Sequence, residues 1–153
     1  MQAPQRILVI QLRRIGDLLL ATPMFRALRA AYPAAEITLL VERPFEPVVR
    51  CNTHLDHVIV SERKQSLARN LRDIVALRRA RYDLVIDFLG KPRTALWSWL
   101  TGAPRRIGYA APGRRFFYTD NATVERPDDY TVLHKAVLLQ PLGIAVTDLR
   151  LEF

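Results

Sequence analysis

Cysteine, histidine and glycine are all scarce in this chain of 153 residues, and each scarcity excludes something. The single Cys51 rules out an internal disulfide and a cysteine-rich metal site, and fits a reducing compartment. The three histidines, His54, His57 and His134, lack the spacing of metal ligands, so no metal is expected. No apolar run approaches the ~18 residues of a membrane span. The opening MQAPQR has no signal-peptide core, which points to a cytoplasmic chain. Glycine occurs six times, and only Gly16 falls in the first strand-to-helix turn. The GxGxxG dinucleotide fingerprint is therefore absent, and a nicotinamide or flavin cofactor loses most of its support.

Arginine is what the chain has in excess. Of its 23 basic residues 20 are Arg, whose planar fork pairs bidentately with phosphate or carboxylate. The charge is uneven: residues 1–119 carry 20 basic and 9 acidic side chains, a net of +11, whereas residues 120–153 carry a net of −3. Such a balance implies a polyanionic partner, whether nucleic acid, an anionic membrane surface or a phosphorylated substrate. The bland alternative is a solvated surface on which Arg stands in for Lys. No helix-turn-helix, RNA-recognition sheet motif or zinc finger supports a nucleic-acid module, so none is expected to bind.

Residues 1–153 read as one domain of ordinary globular composition. Residues 7–10, Ile-Leu-Val-Ile, form a run without polar alternation, as in a parallel strand covered on both faces. A basic turn follows, and then a helical pattern that ends at Pro33. Further strands are predicted over 36–41, 56–60, 82–88 and 105–109. Helices are predicted over 45–51, 66–80, 93–100 and 130–142, with 110–129 mostly loop. Alternating strands and helices predict an α/β, Rossmann-like doubly wound parallel sheet, with strand order 3-2-1-4-5.

Ligands of such sheets sit at the carboxyl ends of the strands. Arg13, Arg14, Gly16 and Asp17 lie there after the first strand, and Lys91 and Arg93 after the fourth. Asp17 falls at the expected helix start, where its structural role would be the N-cap. Pro23 allows either a kinked helix or one that restarts with Thr22 as its cap. Arg105, Arg106, Arg114 and Arg115 flank a loop in which Tyr109, Phe116, Phe117 and Tyr118 are interleaved, a composition suited to phosphates and sugar faces. The competing reading places these aromatics in the core, Phe117 before Tyr109. A stand-alone flavodoxin-like receiver is disfavoured, because no paired acids follow the first strand.

The stretch ILVIQLRRIGDLLLATPMFRALRAAYP resembles the N-terminal domain of the lipopolysaccharide heptosyltransferases, glycosyltransferase family 9. The resemblance continues through EITLLVE, YDLVIDFLG with Arg93-Thr94, Arg105-Arg-Ile-Gly108, and His134 before Leu142-Gly143. It implies the N-terminal, acceptor-binding half of a two-domain GT-B enzyme that inverts the anomeric centre. Asp17 matches the family's Gly-Asp aspartate, the general base. Arg13, Arg14, Gly16, Lys91, Arg93, Arg105, Arg106, Arg114, Arg115 and His134 form the implied substrate-binding set. The acceptor would be a lipid-linked, phosphorylated glycan, met by peripheral contact with the inner membrane. The donor, ADP-heptose, would bind a C-terminal domain that the chain does not contain, so no cofactor and no activity are expected of the chain alone. The family's Gln-Gly after the fourth strand is Leu89-Gly90 here, and Pro92 precedes Arg93.

Overall fold

The run Ile7 to Ile10 lies on an inner strand of a six-stranded parallel sheet, and every one of these side chains is fully buried. The computed structural model describes residues 2–125 and 131–152. In chain order the strands are β1 (Arg6–Ile10), β2 (Glu36–Glu42), β3 (His57–Ser61), β4 (Leu84–Asp87), β5 (Arg105–Tyr109) and β6 (Asp120–Ala122). They lie side by side as β3-β2-β1-β4-β5-β6, all parallel, with Ile10 opposite Leu40 on one side and Asp87 on the other. The predicted order is thus present, with β6 added at one edge. The sequence hid β6 because three residues, Asp-Asn-Ala, carry no strand signal. It forms by pairing with β5.

Helices α1 (Ile15–Ala31), α2 (Glu46–Val49), α3 (Leu67–Arg79), α4 (Pro92–Leu100) and α5 (Thr131–Ala136) link or follow these strands. The sheet is covered on both faces, as strands without alternation require. On one face Leu18, Phe25 and Leu28 of α1, with Val132 of α5, pack against Ile7, Val9 and Ile86. On the other, Leu77 of α3 and Trp97 of α4 pack against Leu8, Ile10 and Val85. The predicted helix over 130–142 is α only to Ala136 and continues as a 3-10 turn, Val137–Leu142, that contains Pro141. Residue 130, and 126–129 of the predicted loop, lie outside the described residues.

Helix α1 runs unbroken through Pro23. Proline there removes the amide that would bond the Leu19 carbonyl. The Thr22 hydroxyl donates to that carbonyl at 2.7 Å, and accepts the Glu152 amide at 2.9 Å in turn. Thr22 therefore repairs the ladder rather than capping a second helix. Glu152 also pairs with Arg26, so the last described residues lie along α1.

Candidate functional site

The carboxyl ends of β1, β4 and β5 surround a cavity of about 270 Å³. Arg14 and Asp17 from the start of α1, Lys91 from the turn after β4, Tyr109 from β5, and His134 and Lys135 from α5 line it. A larger hollow, about 860 Å³, opens near Asp83, Arg105 and Asp120. It lies at the amino ends of the strands, away from the edge where parallel sheets place their ligands. Its charges are also already spent: Arg105 pairs with Asp120, and Asp83 accepts the amides of Gln5 and Arg6.

Two backbone features shape the carboxyl edge. Arg14, the N-cap of α1, has φ 65 and ψ 106, a left-handed conformation that costs a non-glycine residue on the order of 1–3 kcal/mol. The predicted cap, Asp17, is instead the third helical residue, and no side chain caps the helix. Its carboxylate is half-buried and lines the cavity. After β4 the chain turns back at Gly90, φ 67, where a Cβ would meet the Tyr109 ring at 2.9 Å. That turn is held from inside by Asp87. Its carboxylate accepts the Leu89 and Gly90 amides, both at 3.0 Å, and the Tyr118 hydroxyl at 2.6 Å. Burial pushes the Asp87 carboxyl up, and these donors, Tyr118 foremost, work against that rise. The Tyr118 ring fits because residue 108 is glycine: a Cβ there would lie 2.2 Å from it. The buried aromatic of the 110–129 segment is therefore Tyr118, while Phe117 is half-buried against Trp99.

Beneath the cavity sits a buried cation. Lys135 is 3% exposed; its ammonium donates to Gln11 Oε1 at 2.8 Å and approaches the Phe88 carbonyl at 3.5 Å. Burial lowers its pKa to about 8, against the opposing pull of Asp17 and Asp87. Gln11, itself fully buried, passes the contact on by donating to the Arg13 carbonyl at 3.0 Å, within the turn that presents Arg14.

No family model matches the chain. A crystal structure of glycosyl transferase family 9 from Veillonella parvula superposes with TM-score 0.80 and 27% identity, over 96% of this chain and 43% of that one. The resemblance to glycosyltransferase family 9 holds. An E. coli heptosyltransferase solved with ADP shares the fold at TM-score 0.73 and 22% identity, over 93% of this chain and 48% of its own. A Haemophilus influenzae protein named "Putative glycosyltransferase" is 25% identical over 122 residues, 80% of this chain and 35% of the relative. The chain spans less than half the length of each of these proteins.

Of the residues that the family 9 motifs single out, the fold brings Arg14, Asp17, Lys91 and His134 to one cavity, with Gly16 beside Asp17. The others face elsewhere. Arg13 pairs at 3.2 Å with Glu42, a carboxylate 1% exposed at the end of β2. Arg93 lies over the Trp97 ring, 4.8 Å from its centroid. Arg105 and Arg106 start β5, at the opposite end of the sheet from Asp17. Arg105 donates to the Pro141 carbonyl, and Arg106 to those of Phe117 and Ala103, bonds that hold the fold together. Arg114 is half-buried near Tyr118, and Arg115 is exposed in a 3-10 turn. Neither lines the cavity. Lys135 is the residue that sequence reasoning missed. Its signal was a lysine three residues after Val132, on the apolar face of the last helix.

Proposed function

We propose that the chain is the acceptor-binding half of an inverting glycosyltransferase, one that moves heptose from ADP-heptose to the phosphorylated inner core of lipopolysaccharide. The observation that carries this reading is the position of Asp17. It stands half-buried at the carboxyl edge of a family 9-like sheet, in a cavity with the cations Arg14, Lys91 and Lys135. An acceptor hydroxyl placed there attacks the anomeric carbon of the donor from the face opposite the leaving diphosphate. The new C–O bond forms as the bond to ADP breaks, and the Asp17 carboxylate takes the hydroxyl proton. Acceptor phosphates answer the surrounding cations. The donor site belongs to a second domain beyond this chain, and the acceptor is met by peripheral contact with the cytoplasmic face of the inner membrane. Among the described residues no helix is long and apolar enough to cross a membrane.

The test is an NMR titration of the 153-residue chain with a soluble phosphorylated inner-core oligosaccharide, with ADP and duplex DNA in parallel. Shifts clustered at Gly16, Asp17 and Lys91, with ADP silent, are expected. Diffuse shifts with DNA alone would replace this reading with a basic nucleic-acid surface. Turnover by the isolated chain would refute the need for a second domain.

A further inference from the structure

Among the described residues Lys135 is the only buried lysine or arginine. An ammonium held away from water is costly unless paired. Here the pairing is incomplete. One N–H bonds Gln11 at 2.8 Å, a second makes a long approach to the Phe88 carbonyl at 3.5 Å, and a third has no acceptor among the described residues. The Phe88 ring, 5.6 Å away, adds a weak attraction. No carboxylate of the described chain lies in ion-pair contact with it. The charge nevertheless lines the same cavity as Arg14 and Lys91. A merely structural role would be filled better by an apolar side chain of similar length.

We propose that Lys135 is the floor of an oxyanion site that receives a phosphate group of the acceptor, with Arg14 and Lys91 at its rim and Asp17 beside it. This rests on the acceptor reading for the source of the phosphate, but not for the site itself. A phosphate there completes the ammonium's hydrogen bonding and, together with the Asp17 carboxylate, offsets the three cations that face one space. It also positions the substrate, because a phosphate seated on a buried lysine tethered to Gln11 fixes the sugar ring that bears it. An exposed arginine leaves such a ring free to swing. The groups facing Lys135 are Arg14 and Asp17 of α1, Asp87 and Lys91 around the end of β4, Tyr109 of β5 and His134 of α5.

The experiment titrates the isolated chain with inorganic phosphate and, separately, with acetate, followed by amide and lysine side-chain NMR at about pH 7. Phosphate shifts confined to Gly16, Asp17, Lys91 and Lys135 are expected. Lys135→Met should weaken phosphate binding roughly tenfold or more, while the surface control Lys64→Met leaves it unchanged. Equal affinity in Lys135→Met would overturn the proposal, as would shifts spread over the surface arginines. Acetate binding as tight as phosphate would overturn the phosphate assignment. Should Lys135→Met fail to fold, the wild-type chain decides alone. Phosphate must move the Lys135 titration midpoint upward, and an unmoved midpoint overturns the site. Phosphate binding with no response to the inner-core oligosaccharide would sink the acceptor reading and leave the anion site standing.

Discussion

Raising the pH should stabilise this fold between about pH 7 and 9.5, and Lys135 is the reason. In the unfolded chain a lysine titrates near 10.5; in the folded chain burial brings Lys135 down to about 8. The folded state therefore binds fewer protons than the unfolded state across that window, and stability rises with pH wherever this is so. At pH 7 the cost of keeping Lys135 charged is about 3 kcal/mol, from a shift of roughly 2.5 units at 1.36 kcal/mol each. By pH 9.5 the folded lysine is neutral and roughly 2 kcal/mol of that cost is relieved. For a chain of 153 residues this corresponds to a rise of about 4–8 °C in Tm. Other groups titrate in the same range, so the quantity to measure is the difference between wild type and Lys135→Met. The assay is thermal unfolding at half-unit pH steps, each at constant ionic strength. The wild-type advantage on alkalinisation should vanish in the variant. Parallel pH curves for the two proteins would refute the reasoning, because they would mean that Lys135 is as well solvated folded as unfolded.

Three substitutions probe the scaffold around the same cavity. Tyr118→Phe removes the 2.6 Å donor to the fully buried Asp87 and should cost about 1–3 kcal/mol in chemical denaturation; an unchanged midpoint would show that Asp87 does not depend on it. Gly108→Ala puts a Cβ 2.2 Å from the Tyr118 ring, so it should destabilise by at least ~1–3 kcal/mol, and the double variant Gly108→Ala/Tyr118→Ala should recover part of the loss specific to the clash. Arg14→Gly relieves a left-handed backbone and should raise stability by about 1 kcal/mol or more while weakening phosphate binding; a loss of stability would refute the strain at this turn.

The strands that carry the fold were legible because their sequences could belong to little else. The unalternating runs Ile7-Leu-Val-Ile10 and Leu84-Val-Ile86 demand cover on both faces, and the helical patterns between strands supply it. Parallel pairing and right-handed crossovers then reduce the strand orders to a handful, of which the order β3-β2-β1-β4-β5 is the one present. The carboxyl edge follows from the same logic, which puts Arg13, Arg14, Asp17, Lys91 and Arg93 there alike; only the fold separates Arg14, Asp17 and Lys91, which share the cavity, from Arg13 on Glu42 and Arg93 on Trp97. Tertiary structure decided what depends on direction and distance. In a parallel sheet the first and last residues of one strand stand at opposite ends, which separates Arg105 and Arg106, expected to bind substrate, from Asp17, the expected base. Strand β6 exists because β5 offers it an edge, not because Asp-Asn-Ala prefers extension. The buried ammonium of Lys135 arises from contact between residues 124 positions apart in the chain, Gln11 and Lys135. Short-range pattern specifies which segments are strands and helices. Only the closed fold determines which side chains meet at their ends, because that meeting is set by packing across the chain and not along it.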